Sequence, residues 1–310
     1  MNLLKPKFWE SNKNLFTLFL FPISLLYKIF LFIRKFFIKK IKFNANIICV
    51  GNIYIGGTGK TPLAMLIFNL LKQKQQNPAI VKKFYSNHLD EINMISDGIG
   101  GLFVDRSRKK AIKNAITKGF NTLILDDGYQ DLTIHKNLNI ICFNSEQLIG
   151  NGHVLPAGPL REPLSSLKKC KIVVINGEKK DFFNLKLKKK FPNLKIFYSN
   201  YIPINIKEFQ NKNIFAFAGV GNPENFFNLL KKNGFFLKKT KIFPDHYPYS
   251  KKELLALIDS AKKNNLEIIT TEKDYYRILK FNLNKIKFIK INLIIENEKV
   301  FIEEILKYLS

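Results

Sequence analysis

A chain of 310 residues, 46% of them hydrophobic, is long enough to bury one large or two smaller cores and too apolar to be disordered. Its formal net charge of +27 points to nucleic acid, an anionic membrane surface or a polyanionic substrate, unless it reflects only a composition rich in Lys, Asn, Ile and Phe. No zinc-finger spacing and no aromatic-interleaved RNA module accompanies the charge, which argues against nucleic acid, and Cys49, Cys142 and Cys170 lack metal or redox spacing, which suits a reducing compartment.

The first element in chain order is Leu15 to Phe37, LFTLFLFPISLLYKIFLFIRKFF, followed by Lys39, Lys40 and Lys42. Pro22 interrupts it and Lys28 lies within it, so no uncharged run reaches the ~18–20 residues of a standard spanning helix. No small-residue cleavage site follows, which argues against a signal peptide. Apolar bulk with a basic flank predicts a segment lying in the headgroup region of an anionic leaflet; a core helix docked on the domain is the alternative.

The next stretch, IICVGNIYIGGTGKTPLAML from Ile47 to Leu66, runs from a strand through a Gly-rich turn into a run of helix formers. This is the layout of a phosphate-binding loop. Backbone N–H groups and a helix N-terminus face phosphate, Lys60 reaches the β/γ-phosphates and the Thr61 hydroxyl ligates Mg2+. The loop comprises Tyr54, Ile55, Gly56, Gly57, Thr58, Gly59, Lys60 and Thr61. Tyr54 stands where the usual pattern has Gly, and Gly56 and Gly57 supply the backbone freedom instead.

Strand-like runs follow at Ala79–Val81, Thr122–Leu125, Leu138–Phe143, Ile172–Ile175 and Lys195–Tyr198, with helical stretches at Pro62–Lys74 and Arg106–Lys118 between them. The alternation predicts an α/β domain with a mainly parallel sheet. Strand Thr122–Leu125 runs into Asp126 and Asp127, and a strand-end carboxylate beside a phosphate loop holds Mg2+ directly or through water. Gly150–Pro163, GNGHVLPAGPLREP, is a rigid loop that carries Arg161 and Glu162 either to a site mouth or into a surface ion pair.

A second group of elements starts near Ile214, after the basic stretch Tyr201–Lys212: strand Ile214–Ala218, helix Pro223–Lys232, strand Lys241–Phe243, helix Lys251–Lys263, strand Glu267–Thr270 and strand Lys285–Ile289. His246 closes one of these strands in Phe-Pro-Asp-His. Thr270-Thr271-Glu272-Lys273-Asp274 closes another and reads as a helix N-cap.

The ordered segments VGNIYIGGTGKTP, DEIN, DDGYQD, GNGHVLPAGPLREP, FAGVGNPENFF, FPDHYPYS and TTEKD resemble the tetraacyldisaccharide 4′-kinase family, the lipid A 4′-kinases, from about Trp9 to the C-terminal helix. The resemblance implies transfer of the γ-phosphoryl of ATP, with Mg2+, to the 4′-hydroxyl of a tetraacylated, 1-phosphorylated glucosamine disaccharide, giving lipid IVA. By the same resemblance Asp90 and His246 activate the sugar hydroxyl, with Lys60 completing the catalytic set. Thr61, Asp126 and Asp127 hold the metal, and Arg106, Gln130, Arg161 and Glu162 contact substrate or phosphate. A hydrophobic N-terminal segment holding the enzyme on the cytoplasmic face of the inner membrane also belongs to the family. The chain departs from the family's pattern in three places. Val81-Lys82-Lys83-Phe84-Tyr85 replaces Ser-Arg-Gly-Tyr-Gly-Gly, Leu89 and Ile92 replace a Gly and a Pro around Asp90, and Asp131 replaces a His.

The expected architecture is a phosphate-loop NTPase-type, mainly parallel α/β sheet flanked by helices, with a hydrophobic N-terminal helix and a smaller C-terminal α/β domain. Residues 1–42 form the membrane-associating segment, 43–205 the kinase domain and 206–310 a domain that closes on the nucleotide and brings His246 to Asp90. Anionic membrane lipids and the glycolipid substrate are the expected partners, without nucleic acid. Oligomeric state has no signature in the sequence. The competing reading is a membrane-associated phosphate-loop NTPase acting as a nucleotide switch.

Overall fold

A computed structural model describes residues 6–11, 14–86 and 89–309; His88, beside the Asp90 segment, and residues 1–5 lie outside them. Helix α1 (Leu15–Phe37) runs unbroken through Pro22, where the sequence suggests an interruption. The proline ring removes one backbone donor, and the helical turns on either side carry the element across it.

The chain then follows β1 (Asn46–Gly51), α2 (Lys60–Gln73), β2 (Pro78–Lys83), α3 (Leu89–Gly98), β3 (Leu102–Asp105), α4 (Arg108–Thr117), β4 (Thr122–Asp126), β5 (Leu138–Asn144), β6 (Ile172–Asn176), α5 (Asp181–Lys190) and β7 (Lys195–Pro203). The remaining elements are β8 (Asn213–Ala218), α6 (Pro223–Lys232), β9 (Phe236–Ile242), α7 (Lys251–Lys263), β10 (Glu267–Thr271), α8 (Glu272–Ile278), β11 (Lys287–Ile289), β12 (Ile291–Ile295) and α9 (Glu298–Leu306). The chain divides into two compact units. One joins Tyr85–Gly98 to Tyr201–Leu293, and the other holds the rest of the described chain. Helix α3 belongs with the C-terminal elements, and residues from Ile294 onward return to the larger unit.

The larger unit is built on an eight-stranded sheet of order β12-β7-β6-β5-β1-β4-β2-β3, parallel from β7 to β3. Strands covered on both faces read as unbroken apolar runs, and every residue of β4 and β6 is buried. The chain leaves β1 toward β2, then crosses back over β1 from β4 to β5. The carboxyl end of β1 is therefore the reversal point where sheets of this type bind ligands.

Helix α1 docks on this unit through an i, i+3, i+4 stripe: Thr17, Ser24 and Leu31 are buried, and Leu20, Tyr27 and Arg34 are half-buried. Ser24 Oγ donates to the Val154 carbonyl at 2.9 Å and accepts from Ala157 N at 2.9 Å. Tyr27 donates to the Arg161 carbonyl at 3.3 Å, and Arg34 to that of Gln130 at 3.4 Å. The polar side chains of the helix thus face the protein, while Leu15, Phe19, Leu26, Phe30, Phe36 and Phe37 face outward and are exposed. This arrangement inverts that of a helix on a water-soluble surface.

The smaller unit has a four-stranded sheet of order β11-β10-β8-β9 with parallel pairings. The alternation along β8 sends Phe215 and Phe217 to the face under α7, with Leu254 and Ile258. Ile214, Ala216 and Ala218 go to the face under α6, with Phe226 and Leu230.

Candidate active site

The turn from β1 into α2 has the backbone its sequence demands. Gly56 and Gly59 adopt φ of 114° and 87°, values L side chains rarely take. Gly59 is the N-cap of α2 and no side chain caps the helix. An uncapped helix start of this kind suits an anion. Asn52 Nδ2 braces the turn, donating to Thr58 Oγ1 at 3.0 Å and to the Gly56 carbonyl at 3.3 Å. Tyr54, in the position of the usual Gly, turns its ring into the core and pairs its backbone with Leu160. Ile55 donates its N–H to the Pro159 carbonyl at 2.9 Å, so that N–H is already committed.

Register places the acidic pair beside this turn. Val50 of β1 and Lys82 of β2 both stand opposite Asp126 in β4. Asp126 Oδ2 accepts from Thr61 Oγ1 at 3.0 Å and from Lys82 Nζ, and all three side chains are buried. Asp126 Oδ1 is buried with no hydrogen-bond partner among the described residues. Asp127 adopts φ 53°, a strained backbone for a non-glycine residue. Its carboxylate lies 3.8 Å from Lys60 Nζ and 3.3 Å from an Arg161 guanidinium nitrogen. Burial pushes the Asp127 carboxyl up, but the charges of Lys60, Arg161 and Lys82 outweigh it and hold the group below the usual carboxylate range.

The orphaned Asp126 oxygen, the Thr61 hydroxyl and the ionised Asp127 suit a hard cation such as Mg2+, which is held by one or two carboxylates and completes its shell with water and phosphate oxygens. No group of three or more His, Cys, Asp and Glu side chains among the described residues offers an all-protein metal cage.

The Gly-Pro loop is strapped to the phosphate loop by Ile55 N to Pro159 O at 2.9 Å and Arg161 N to Ile53 O at 2.7 Å. That strap aims Arg161 at Asp127. Glu162 turns away into a buried position, where burial raises its pKa against the opposing pull of Lys35, Lys169, Lys136 and Arg34. Gln130 donates its amide to the Asn52 carbonyl at 2.8 Å and supports the strand end. Arg106 is exposed. It is Arg108 that reaches the acidic strand end, donating to the Asp127 carbonyl at 3.0 Å and pairing with Asp131 at 3.1 Å. Arg108 shares the buried face of α4 with Ala111, Ile112 and Ala115, the one signal in the sequence that separates it from Arg106. Nothing in the sequence marks Lys82 as a partner of Asp126; the β2–β4 register brings the two together.

A second constellation lies in the smaller unit. Asp90, in the first turn of α3, is buried, and its Oδ2 accepts from Arg277 Nε at 2.7 Å. His246 Nδ1 is 3.8 Å from that same oxygen, beyond hydrogen-bond reach. His246 also adopts a left-handed φ, 56°. The other face of its ring meets Lys273, with Nζ 3.3 Å from Nε2. Burial first, then Lys273 and Arg277, lower the His246 pKa, while Asp245 and Asp90 oppose them. Thr271 caps α8 by accepting from Asp274 N at 3.0 Å, as its sequence suggests. The α8 spacing places Lys273, Asp274 and Arg277 together. Asp90 and His246 belong to the same unit, so the expected meeting of the two across a domain boundary does not hold: residues 85–98 pack with the C-terminal elements.

A parallel sheet with an uncapped Gly-rich helix start at its reversal point, and strand-end carboxylates on the neighbouring strand, defines a phosphate-loop NTPase-type fold. The family model LpxK, described as tetraacyldisaccharide-1-P 4′-kinase, matches residues 16–310. The tetraacyldisaccharide 4′-kinase of Pelagibacter ubique (strain HTCC1062) is 43% identical, covering 99% of this chain and 98% of that protein. The Rickettsia bellii (strain OSU 85-389) protein of the same name is 37% identical over 90% of each chain. A crystal structure titled as the "apo" form of LpxK from Aquifex aeolicus in complex with ATP superimposes with a TM-score of 0.72, at 23% identity, over 95% of this chain and 99% of that one. The chain belongs to the tetraacyldisaccharide-1-P 4′-kinase family.

Proposed function

We propose that the protein transfers the γ-phosphoryl of ATP to the 4′-hydroxyl of tetraacyldisaccharide 1-phosphate, forming lipid IVA, from the cytoplasmic face of the inner membrane. The observation that carries the reading is the junction of the Gly59-Lys60-Thr61 helix start with the Asp126–Asp127 strand end, in a chain of this family. Lys60 and the α2 N-terminus bind the β/γ-phosphates, and Thr61 and Asp126, with Asp127, would hold Mg2+. Bound there, Mg2+ neutralises charge on the phosphoryl oxygens. Arg161 adds a second cation where negative charge develops. An alcohol attacks phosphorus well only as its proton leaves, and Asp90 takes that proton while His246, held neutral at neutral pH, lies beside it.

The inverted helix supports membrane association. An outward face of Leu and Phe finds its favourable surroundings in acyl chains, and the Lys residues after the helix meet anionic headgroups. Helix α1 is apolar enough to cross a bilayer by length and composition, with mean hydropathy 2.1 over its most apolar window. Its docking through Thr17, Ser24, Leu31 and Arg34 along its length supports an interfacial placement over a spanning one. Nucleic acid has no part in this reading.

The test is phosphoryl transfer by detergent-solubilised protein with Mg2+, γ-labelled ATP and the tetraacyl disaccharide 1-phosphate, with Lys60→Ala as control. Label in a lipid product, absent with the variant, supports the kinase. Hydrolysis without lipid product refutes it in favour of a nucleotide switch.

A further inference from the structure

The Asp90 cluster contains more hydrogen-bonding capacity than the protein uses. The Arg277 guanidinium has three nitrogens. Nε donates to Asp90 Oδ2 at 2.7 Å, and Nη1 donates to the Gly219 carbonyl at 2.5 Å and to Asp274 Oδ1 at 2.6 Å. Nη2 is buried and has no hydrogen-bond partner among the described residues, and the same is true of Asp90 Oδ1. Asp274, by contrast, is saturated: Tyr249 OH and Arg277 bind Oδ1, and Gly219 N and Thr271 Oγ1 bind Oδ2.

The arrangement is that of an arginine–carboxylate fork in which one prong is engaged and the atoms of the other are unpaired. A guanidinium edge offers Nε and Nη2 side by side, and a carboxylate offers two oxygens at matching spacing. Here Nε and Oδ2 meet, while Nη2, a donor, and Oδ1, an acceptor, each have no hydrogen-bond partner among the described residues. A buried polar atom left without a partner is costly, and one in a native structure calls for an explanation, a catalytic or ligand-binding role among them. A hydroxyl accepts from one neighbour while donating to the other.

We propose that Arg277 Nη2 and Asp90 Oδ1 together bind the acceptor hydroxyl of the sugar. This rests on the reading above, in which Asp90 takes the hydroxyl proton. Nη2 donates to one lone pair of the hydroxyl oxygen, and the hydroxyl hydrogen points to Oδ1. As the oxygen's other lone pair forms the bond to the γ-phosphorus, the proton passes to Asp90 Oδ1. The bond from phosphorus to the β–γ bridging oxygen breaks, and its electron pair leaves with ADP. Tied through Nη1 to Asp274 and Gly219, Arg277 cannot swing, so it fixes the direction of the attacking lone pair. The geometry needs a guanidinium. A Lys ammonium in its place can serve Asp90 Oδ2 but has no second planar donor beside it.

The experiment compares the full-length wild-type enzyme with Arg277→Lys and Asp90→Asn, using the tetraacyl disaccharide 1-phosphate and its 4′-deoxy analogue. Kinetics are read with the former, and binding is read with both. In the wild type the hydroxyl compound binds more tightly than the deoxy compound. In Arg277→Lys the discrimination collapses about 10- to 100-fold and kcat for the lipid falls, while KM for ATP holds. Loosened packing would weaken both ligands alike, so the ratio separates hydroxyl contact from a structural role. Arg277→Ala with added guanidinium is the second variant, and recovery of the discrimination supports the contact. An inactive Asp90→Asn beside an Arg277→Lys enzyme of wild-type discrimination overturns this inference alone. A fully active Asp90→Asn overturns the reading of Asp90 beneath it.

Discussion

Replacing Lys82 by Met tests the reasoning about the strand-end carboxylates most directly. The substitution keeps the aliphatic stem that packs in β2 and deletes the ammonium that meets Asp126 Oδ2. Asp126 is 1% exposed, and the Thr61 hydroxyl at 3.0 Å is then its remaining hydrogen-bond donor among the described residues. Breaking a buried ion pair by removing one partner costs about 3–5 kcal/mol, because the other charge stays buried. The ligand-free variant is therefore expected to lose about that much stability in urea denaturation. Mg2+ with ATP adds about 2.7 kcal/mol to the wild type at 100-fold over Kd. The variant is expected to regain more than this, since the cation also supplies the counter-charge Asp126 has lost. Lys82→Arg should restore the ligand-free stability. A Met variant as stable as the wild type without ligand, or an identical increment from Mg2+ with ATP in both, would sink the argument.

Four further outcomes are expected. Arg106→Ala should leave kcat/KM within about twofold of the wild type, as exposed surface changes usually do, whereas Arg108→Ala should lower it severalfold, since Arg108 and not Arg106 holds the Asp127 carbonyl; steady-state kinetics with ATP varied decide between them. Because burial and Lys273 depress the His246 pKa, the acid limb of the pH–rate profile should lie below about 6.5 and move upward in Lys273→Met; an unmoved limb would disconnect His246 from the rate. The linkage sign agrees: stability associated with neutral His246 is present above the unfolded value and lost as pH falls through the folded one, so His246→Gln should flatten the pH dependence of denaturation on that acid side. Exchanging Phe19, Leu26 and Phe30 for Ser should release the protein from anionic vesicles in a sedimentation assay while phosphoryl transfer to detergent-solubilised lipid persists; retention on the vesicles would contradict the interfacial placement of α1.

The sequence alone determined whatever is contiguous. Strand, Gly-rich turn and helix start follow one another from Ile47 to Leu66, and each local preference agrees with the next, so the loop is legible before any fold is known. The strand ending in Asp126-Asp127, the cap at Thr271 and the family resemblance are local in the same sense. Tertiary structure decided everything that depends on which strands become neighbours and which helix face turns inward. Register of β2 against β4 set Lys82 on Asp126, and helix phase selected Arg108 over Arg106. Packing of α3 with the C-terminal elements placed Asp90 on Arg277, far along the chain, and brought His246 near it within a single unit. Composition marked α1 as apolar, but only docking revealed that its few polar side chains point toward the protein. Hydrogen bonds and ion pairs act over a few ångströms of space regardless of sequence separation, so partners such as these become visible only when the chain is folded.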